Sequence, residues 1–299
     1  MTGAHAANRR GVLAMSAGMG AFVTNDAMVK MVSETLPAWQ LIFLRGVFAI
    51  VALLLLLLAI GALRQLPLLA DRRVWVRAAL DAVGTMTYLT SLFHLPIANA
   101  TAINMATPLF ITLFAVVALH EQVGWIRWLA IATGFTGVLM VVQPAGAAFN
   151  AYALLCLAGT IVHAARDLAT RYIDPRVPAL LITFSTAIGV TVLSACFGLA
   201  ERTWTAPGAR ELALLAAASV FLSAGYFLLT IAMRAGEMSL VAPFRYTGLL
   251  FALAFGFIVW GDVPNALAWA GIALLVAAGL SILHGERRRP HAELDPAPD

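Results

Sequence analysis

Apolar residues run along this chain in long unbroken stretches separated by short polar connectors. A helix crossing the hydrocarbon of a bilayer needs about 20 predominantly apolar residues. Such stretches occupy roughly residues 11–32, 38–60, 74–94, 98–118, 125–142, 149–172, 178–200, 210–234, 238–260 and 266–284. Runs such as Val51 to Ile60 lack the in/out alternation of barrel strands, so the pattern predicts helices. The expected fold is an all-α polytopic membrane protein of ten transmembrane helices. Its connectors are short enough for antiparallel neighbours, and no room is left for a soluble catalytic domain. Residues 1–10 and 285–299 are expected to be polar tails. The segment after residue 10 is too long for a cleaved signal peptide, so the first span is expected to stay.

Composition sharpens this picture. The 299 residues are 62% hydrophobic and 11% charged, whereas about a quarter of a soluble domain is charged. Disorder, a secreted disulfide scaffold and nucleic-acid binding are excluded. Cys156 and Cys196 lie inside apolar runs and support neither a disulfide framework nor a zinc site; no cofactor or metal is expected. The net charge of +4 reports loop orientation. With the N-terminus inside, the inner segments hold Arg9, Arg10, Arg64, Arg72, Arg73, Arg77, Arg127, Arg171, Arg176, Arg234, Arg287, Arg288 and Arg289. The outer segments hold Lys30, Arg202 and Arg210. That bias predicts both termini to be cytoplasmic.

A shift of 141 residues superposes span 1 on span 6 and span 5 on span 10 without a gap. It aligns Gly18 with Gly159, Asp26 with Asp167, Lys30 with Arg171, Pro37 with Pro178 and Phe43 with Phe184. It also aligns Gly84 with Gly225, Glu121 with Asp262 and Trp128 with Trp269. Residues 11–142 and 149–284 therefore read as two five-helix repeats. Five is odd, so the second repeat enters the membrane from the opposite side. Two inverted halves can exchange conformations, which turns opening to one face into opening to the other and puts a substrate site near the midplane.

The segment Ala98 to Pro108, followed by apolar residues and His120-Glu121, has a second-half counterpart running from Ser239 through Val241-Ala-Pro243 to Gly261-Asp262. With Gly134 and Gly137 in span 5, this resembles the drug/metabolite transporter superfamily, specifically its EamA-type exporters. Asp262 stands where that family usually has Glu. The resemblance covers residues 11–284 and implies a secondary carrier exporting small metabolites from a bacterial inner membrane. The general look is similar to YddG-type amino-acid exporters, which implies aromatic and other apolar amino acids as substrates.

Ionised groups inside a span cost at least about 2.5–3.5 kcal/mol, so each needs a reason. They are Asp26, Arg45, Asp81, Arg166, Asp167 and Arg245. At about 1.5 Å of rise per residue, Asp26 and Arg45 lie about 9 and 10 Å below the outer ends of their spans and share a level. Asp81, Arg166, Asp167 and Arg245 form a second level near the inner face. Asp26, Arg45, Asp81, Asp167 and Arg245 are candidate gating or coupling charges; the competing reading, the one taken for Arg166, is static ion pairs that fix helix register, with snorkelling at helix ends. Asp81, Thr85 and Tyr88 share one face of span 3. Span 4 adds Asn104, Met105, Thr107 and Pro108, whose missing N–H leaves a carbonyl free for neighbours or a polar cavity. His163, Ser223, Tyr226, Pro243 and Tyr246 echo this in the second half. Spans 1, 3, 4, 6, 8 and 9 are therefore expected to line the cavity, with 5 and 10 outside. Hydroxyl, amide and imidazole groups suit the head of an amino acid, and tyrosines with Met105 suit its side chain. Tyrosine near a span end also reads as an interfacial anchor, as do Trp39, Trp75, Trp125, Trp204 and Trp260. His163 reads either as a hydrogen-bonded interior group or as a proton relay. The small residues Ala130 and Gly134, and Ala273, Ala277 and Ser281, permit close packing within the chain or across a homodimer face.

A membrane-embedded enzyme would need a nucleophile–base pair or a metal set, and no such motif is present. A transport-inactive partner subunit would have no use for polar lining in both halves. The lack of a Walker A motif excludes a self-contained ATP-driven pump. The partners that fit are the lipid bilayer and a small-molecule substrate.

Overall fold

A computed structural model describes residues 2–119, 124–144, 149–170, 172–201, 204–235 and 241–287. His120, Glu121, Arg171, Arg202, Ser239, Arg288 and Arg289 lie outside the described residues, as does the tail from 290. The α-helices are α1 (Thr2–Val32), α2 (Ala38–Ala59), α3 (Arg72–His94), α4 (Ile97–Asn104), α5 (Thr107–Leu119) and α6 (Trp125–Val142). They continue with α7 (Ala151–Thr170), α8 (Ala179–Glu201), α9 (Ala209–Ala235), α10 (Thr247–Phe255) and α11 (Ala266–Arg287). No strand occurs among the described residues. The helix of α1 extends back through 2–10, the stretch set apart as a tail.

Seven stretches of the described residues are long and apolar enough to cross a membrane: Ala7–Val32, Ala38–Ala59, Ile97–Phe114, Ala151–Thr170, Ala179–Glu201, Ala209–Leu229 and Pro243–Trp260. The difference from ten has a physical reason. Helix α3 opens with Arg72, Arg73, Arg77 and Asp81, and the apolar parts of α6 and α11 shrink to Trp128–Val142 and Ala266–Ser281.

Helix packing follows the internal repeat. Helix α1 packs on α9 as α7 packs on α3; α2 meets α9 as α8 meets α3; α1 meets α10 as α7 meets α4 and α5. The pairs α2 with α8, α6 with α11 and α4 with α10 map onto themselves. Glycines set the closest approaches. A Cβ on Gly18 of α1 would lie 3.3 Å from the Gly225 carbonyl of α9, and one on Gly159 of α7 would lie 3.3 Å from the Gly84 carbonyl of α3. The 141-residue shift exchanges these two contacts. Phe22 then fills the space over Gly225 as His163, its repeat equivalent, fills the space over Gly84.

Helix α6 seats Gly134 against Ala278 and Gly137 against the Gly271 carbonyl. The row on the last helix does not pack within the chain: Ala273, Ala277 and Ser281 face outward, and Gly271 and Ala278 make the contact with α6. Side chains such as Leu55, Leu199, Phe227 and Ile258 also face outward, as a hydrocarbon solvent allows. Among the tryptophans expected as anchors, Trp39 donates its indole N–H to Glu201 Oε1 at 2.6 Å and Trp75 donates to the Leu69 carbonyl at 2.8 Å.

The fourth span breaks where proline predicts. Pro108 cannot donate to the Asn104 carbonyl, and the chain divides into α4 and α5. The Thr107 hydroxyl donates to that carbonyl instead, at 2.5 Å. The second half also has a proline at its break: Pro243 lies in a 3₁₀ turn (Ala242–Tyr246), and the Thr247 hydroxyl that follows donates to the Phe244 carbonyl at 2.7 Å. Backbone irregularity at membrane depth is tolerated where polar groups satisfy it.

Candidate functional site

Two buried polar clusters lie about 10 Å apart along α3, seven residues at about 1.5 Å each. The first gathers α1, α2, α3, α4 and α7. One carboxylate oxygen of Asp26 accepts the Tyr88 hydroxyl at 2.9 Å, and the other accepts Asn25 Nδ2 at 2.9 Å. Asn25 Oδ1 in turn faces Arg45 Nη1 at 3.5 Å. Asp26 and Arg45 thus share a level as expected, but an asparagine relays between them. Beyond Tyr88 the His163 ring follows, with 6.2 Å between centroids, and its Nδ1 lies 3.1 Å from Asn104 Oδ1. Arg45 Nε, Thr101 Oγ1 and His163 Nε2 are buried without a hydrogen-bond partner.

The second cluster joins α3, α7 and α8 and is saturated. Asp81 takes Arg166 Nη1 at 2.6 Å on one oxygen, and Arg77 Nη1 at 3.0 Å and the Thr186 hydroxyl at 3.1 Å on the other. Arg166 also holds Asp167 at 2.7 Å, and Arg77 reaches Thr170 Oγ1 at 3.3 Å. Two arginines and two aspartates neutralise one another across α3 and α7, and α8 adds the Thr186 hydroxyl. Arg245 is exposed and stands outside this network, contrary to the level assigned to it, because the 3₁₀ turn rotates it outward.

The remaining lining residues divide. Thr85 is half-buried on the α3 face that holds Asp81 and Tyr88. Met105 packs α4 against Gly248 of α10. Ser223 spends its hydroxyl on the Ser219 carbonyl of its own helix at 2.9 Å, while Ser219 donates to the Arg45 carbonyl at 3.0 Å. Tyr226 sits edge-on to Phe22, with ring centroids 5.0 Å apart. Pro108 and Pro243 mark the helix breaks. The Tyr246 hydroxyl is seated against Gly279 of α11, so the structure does not bring it to the Asp26 cluster.

Sequence reasoning missed Asn25, Arg77 and Thr186, and also Lys30 at the end of α1. Lys30 is buried, donates to the Leu92 carbonyl at 2.9 Å and to the Leu95 carbonyl, and lies 5.4 Å from the Trp260 ring centroid. Trp260 donates to Glu34 Oε1 at 2.9 Å. These groups border a cavity of about 320 Å³ also lined by Ser33, His94 and Asp262. The alignment of Lys30 with Arg171 in the repeat is the sequence signal that marks it.

A family model described as the EamA-like transporter family matches the chain twice, over residues 9–143 and 150–283. The protein belongs to that family. The two matches meet between α6 and α7, where the packing symmetry divides the chain. Relatives extend over nearly its whole length. It is 30% identical over 281 residues to the pseudopaline exporter CntI of Pseudomonas aeruginosa, covering 92% of this chain and 96% of that one. It is 31% identical over 238 residues to a riboflavin transporter of Rhizobium johnstonii, 78% of each chain. It is 27% identical over 270 residues to an S-adenosylmethionine uptake transporter of Rickettsia prowazekii, 88% of this chain and 89% of that one. A solved crystal structure shares the fold at a TM-score of 0.63 and 20% identity, covering 96% of this chain and all of that one. This EamA protein is therefore a multi-pass membrane transporter of small molecules and not an enzyme. Its relatives include an exporter, an uptake transporter and a riboflavin transporter, so family membership leaves direction and substrate to the site.

Proposed function

We propose that this EamA protein is a secondary transporter exporting small amphipathic metabolites, amino acids with aromatic or apolar side chains among them, across a bacterial inner membrane. Two inverted five-helix repeats, residues 11–142 and 149–284, cross the membrane ten times in all and place both termini in the cytoplasm. The polar start of α3 and the short apolar parts of α6 and α11 are carried across by their packing on α7 and on each other. Transport proceeds by alternating access, with the substrate between the halves.

One observation carries this reading: the buried cluster of Asp26, Arg45, Tyr88, Asn104 and His163 joins helices of both halves and keeps polar atoms unpartnered at its heart. A scaffold could fill the same volume with leucine at lower cost, because a buried polar atom without a partner costs about 1–3 kcal/mol. Thr85, Met105 and Tyr226 extend the lining, and Asp81 with Asp167 closes one end. The test is efflux of labelled phenylalanine and leucine from preloaded proteoliposomes, with a flavin and a nucleoside-bearing metabolite as further cargoes. Efflux of the amino acids above protein-free vesicles is expected. Folded protein that moves only the other cargoes, or none, contradicts the reading.

A further inference from the structure

Arg45 is buried without the carboxylate partners that Arg166 has. Only 6% of the residue is exposed. Its Nε–H is buried without an acceptor, and Nη1 has just the 3.5 Å contact with Asn25. No carboxylate of the described residues lies within ion-pair distance of it. Asp26 shares its level but is already bonded to Tyr88 and Asn25. Arg166, by contrast, is paired with two aspartates. The repeat shows why. Asp81, which completes Arg166, has the apolar Leu222 as its counterpart on α9, so the repeat supplies Arg45 with no matching carboxylate. A guanidinium presents a planar fork of donors matched to the two oxygens of a carboxylate, and an ion at this depth without its complement is costly.

We propose that Arg45 is the recognition site for the carboxylate of the transported solute, which displaces the amide of Asn25 and takes the Nε and Nη donors in a two-point contact. Asp26 lies on the far side of Asn25, where it draws the ammonium group of the same solute. The site therefore selects zwitterionic α-amino acids over amphipathic molecules that lack a carboxylate. This inference rests on the transport reading above and adds the chemical group that the site reads.

The test uses the full chain in detergent and matched acid/amide pairs on three frames: phenylalanine with phenylalaninamide, phenyllactate with phenyllactamide, and phenylpropionate with phenylpropionamide. The readout is the ligand-dependent shift in melting temperature, which converts to affinity. The wild type is expected to bind the acids more tightly than their amides, phenylalanine most of all. A charge-assisted hydrogen bond contributes about 1.5–3 kcal/mol, so Arg45→Gln should weaken the acids by roughly ten- to a hundredfold and leave the amides unchanged. Asn25→Asp supplies a resident carboxylate. It does so at the cost of the Asn25 amide's hydrogen bond to Asp26, and it should abolish the preference for acids, which guards against a glutamine variant that fails to fold. Wild-type protein that binds no acid more tightly than its amide overturns the proposal. So does equal weakening of acids and amides in Arg45→Gln, or an acid preference that survives in Asn25→Asp. Acid selectivity confined to the frames without an ammonium group would uphold Arg45 as the carboxylate site and remove the amino-acid reading instead.

Discussion

Three positions related by the internal repeat hold Asn25, Asp26 and Arg45 in the first half and Arg166, Asp167 and Thr186 in the second. Each trio has one aspartate, one arginine and one neutral hydrogen-bonding residue. The arginine, however, has changed helix. On α7 it stands beside Asp167 and reaches Asp81 across to α3, so every charge finds a partner within 3.0 Å. On α2 it stands apart from Asp26 with an amide between them at 3.5 Å. One backbone plan thus holds two arrangements: a saturated ionic tie between α3 and α7, and an unsaturated polar cluster, the proposed site, at the other level. Charge placement, not fold, separates tie from site.

The sharpest way to break this comparison is at Asp81. Asp81→Asn leaves Arg77 and Arg166 without their shared partner, and removing one member of a buried ionic set costs about 3–5 kcal/mol. Thermal unfolding in detergent should show it. Asp26→Asn should cost far less, about 1 kcal/mol, because the amide still accepts from Tyr88. Equal losses at the two positions would erase the distinction between tie and site.

Next come the glycines that bring the halves together. Gly84→Ala puts a Cβ 2.5 Å from His163 Cδ2, and Gly225→Ala puts one 2.9 Å from Phe22. Overpacking of this kind costs about 1–3 kcal/mol. The repeat predicts comparable melting losses, with solute binding impaired only in Gly84→Ala, since only His163 belongs to the polar cluster. The smallest effect belongs to the exposed connector after α7. There Arg176 and its own backbone N–H bond Asp174 and hold its carboxyl down at about 2. A depressed carboxyl favours the fold above its ordinary range and loses that contribution as pH falls toward 2. Because both side chains face solvent, Asp174→Asn should leave melting at neutral pH unchanged and flatten the acid limb only slightly.

The helical class, the repeat register and the breaks at Pro108 and Pro243 were legible because each rests on local chemistry: apolar run length, residue identity at fixed spacing, and a missing N–H. The meeting of Asp26, Tyr88, Asn104 and His163 was legible only as a set of polar residues on the right helices. Their pairing depends on helix rotation, which run length does not encode. The same limit hid Asn25 and Thr186, ordinary residues made important by the charges beside them. It also assigned Arg245 to a network and Tyr246 to a lining they do not join, since the 3₁₀ turn around Pro243 changes the facing of both. Seven stretches pass for crossings instead of ten because α3 opens with the charges of the ionic tie and the apolar parts of α6 and α11 are short.

The reciprocal behaviour of the two ends decides the account. At one end the Thr35 hydroxyl lies 3.4 Å from Glu211 Oε1, bringing the end of α1 to the start of α9. At the other, Arg73 Nη1 donates to the Tyr172 carbonyl at 2.9 Å, joining the start of α3 to the segment after α7. Spin labels at Thr35 and Arg210, and separately at Arg73 and Tyr172, with Cys156 and Cys196 replaced by alanine, would report both separations by pulsed dipolar spectroscopy in nanodiscs. Saturating solute is expected to lengthen one distance while the other shortens or holds. Two distances that widen together, or that stay fixed while the solute is demonstrably bound, would contradict alternating access.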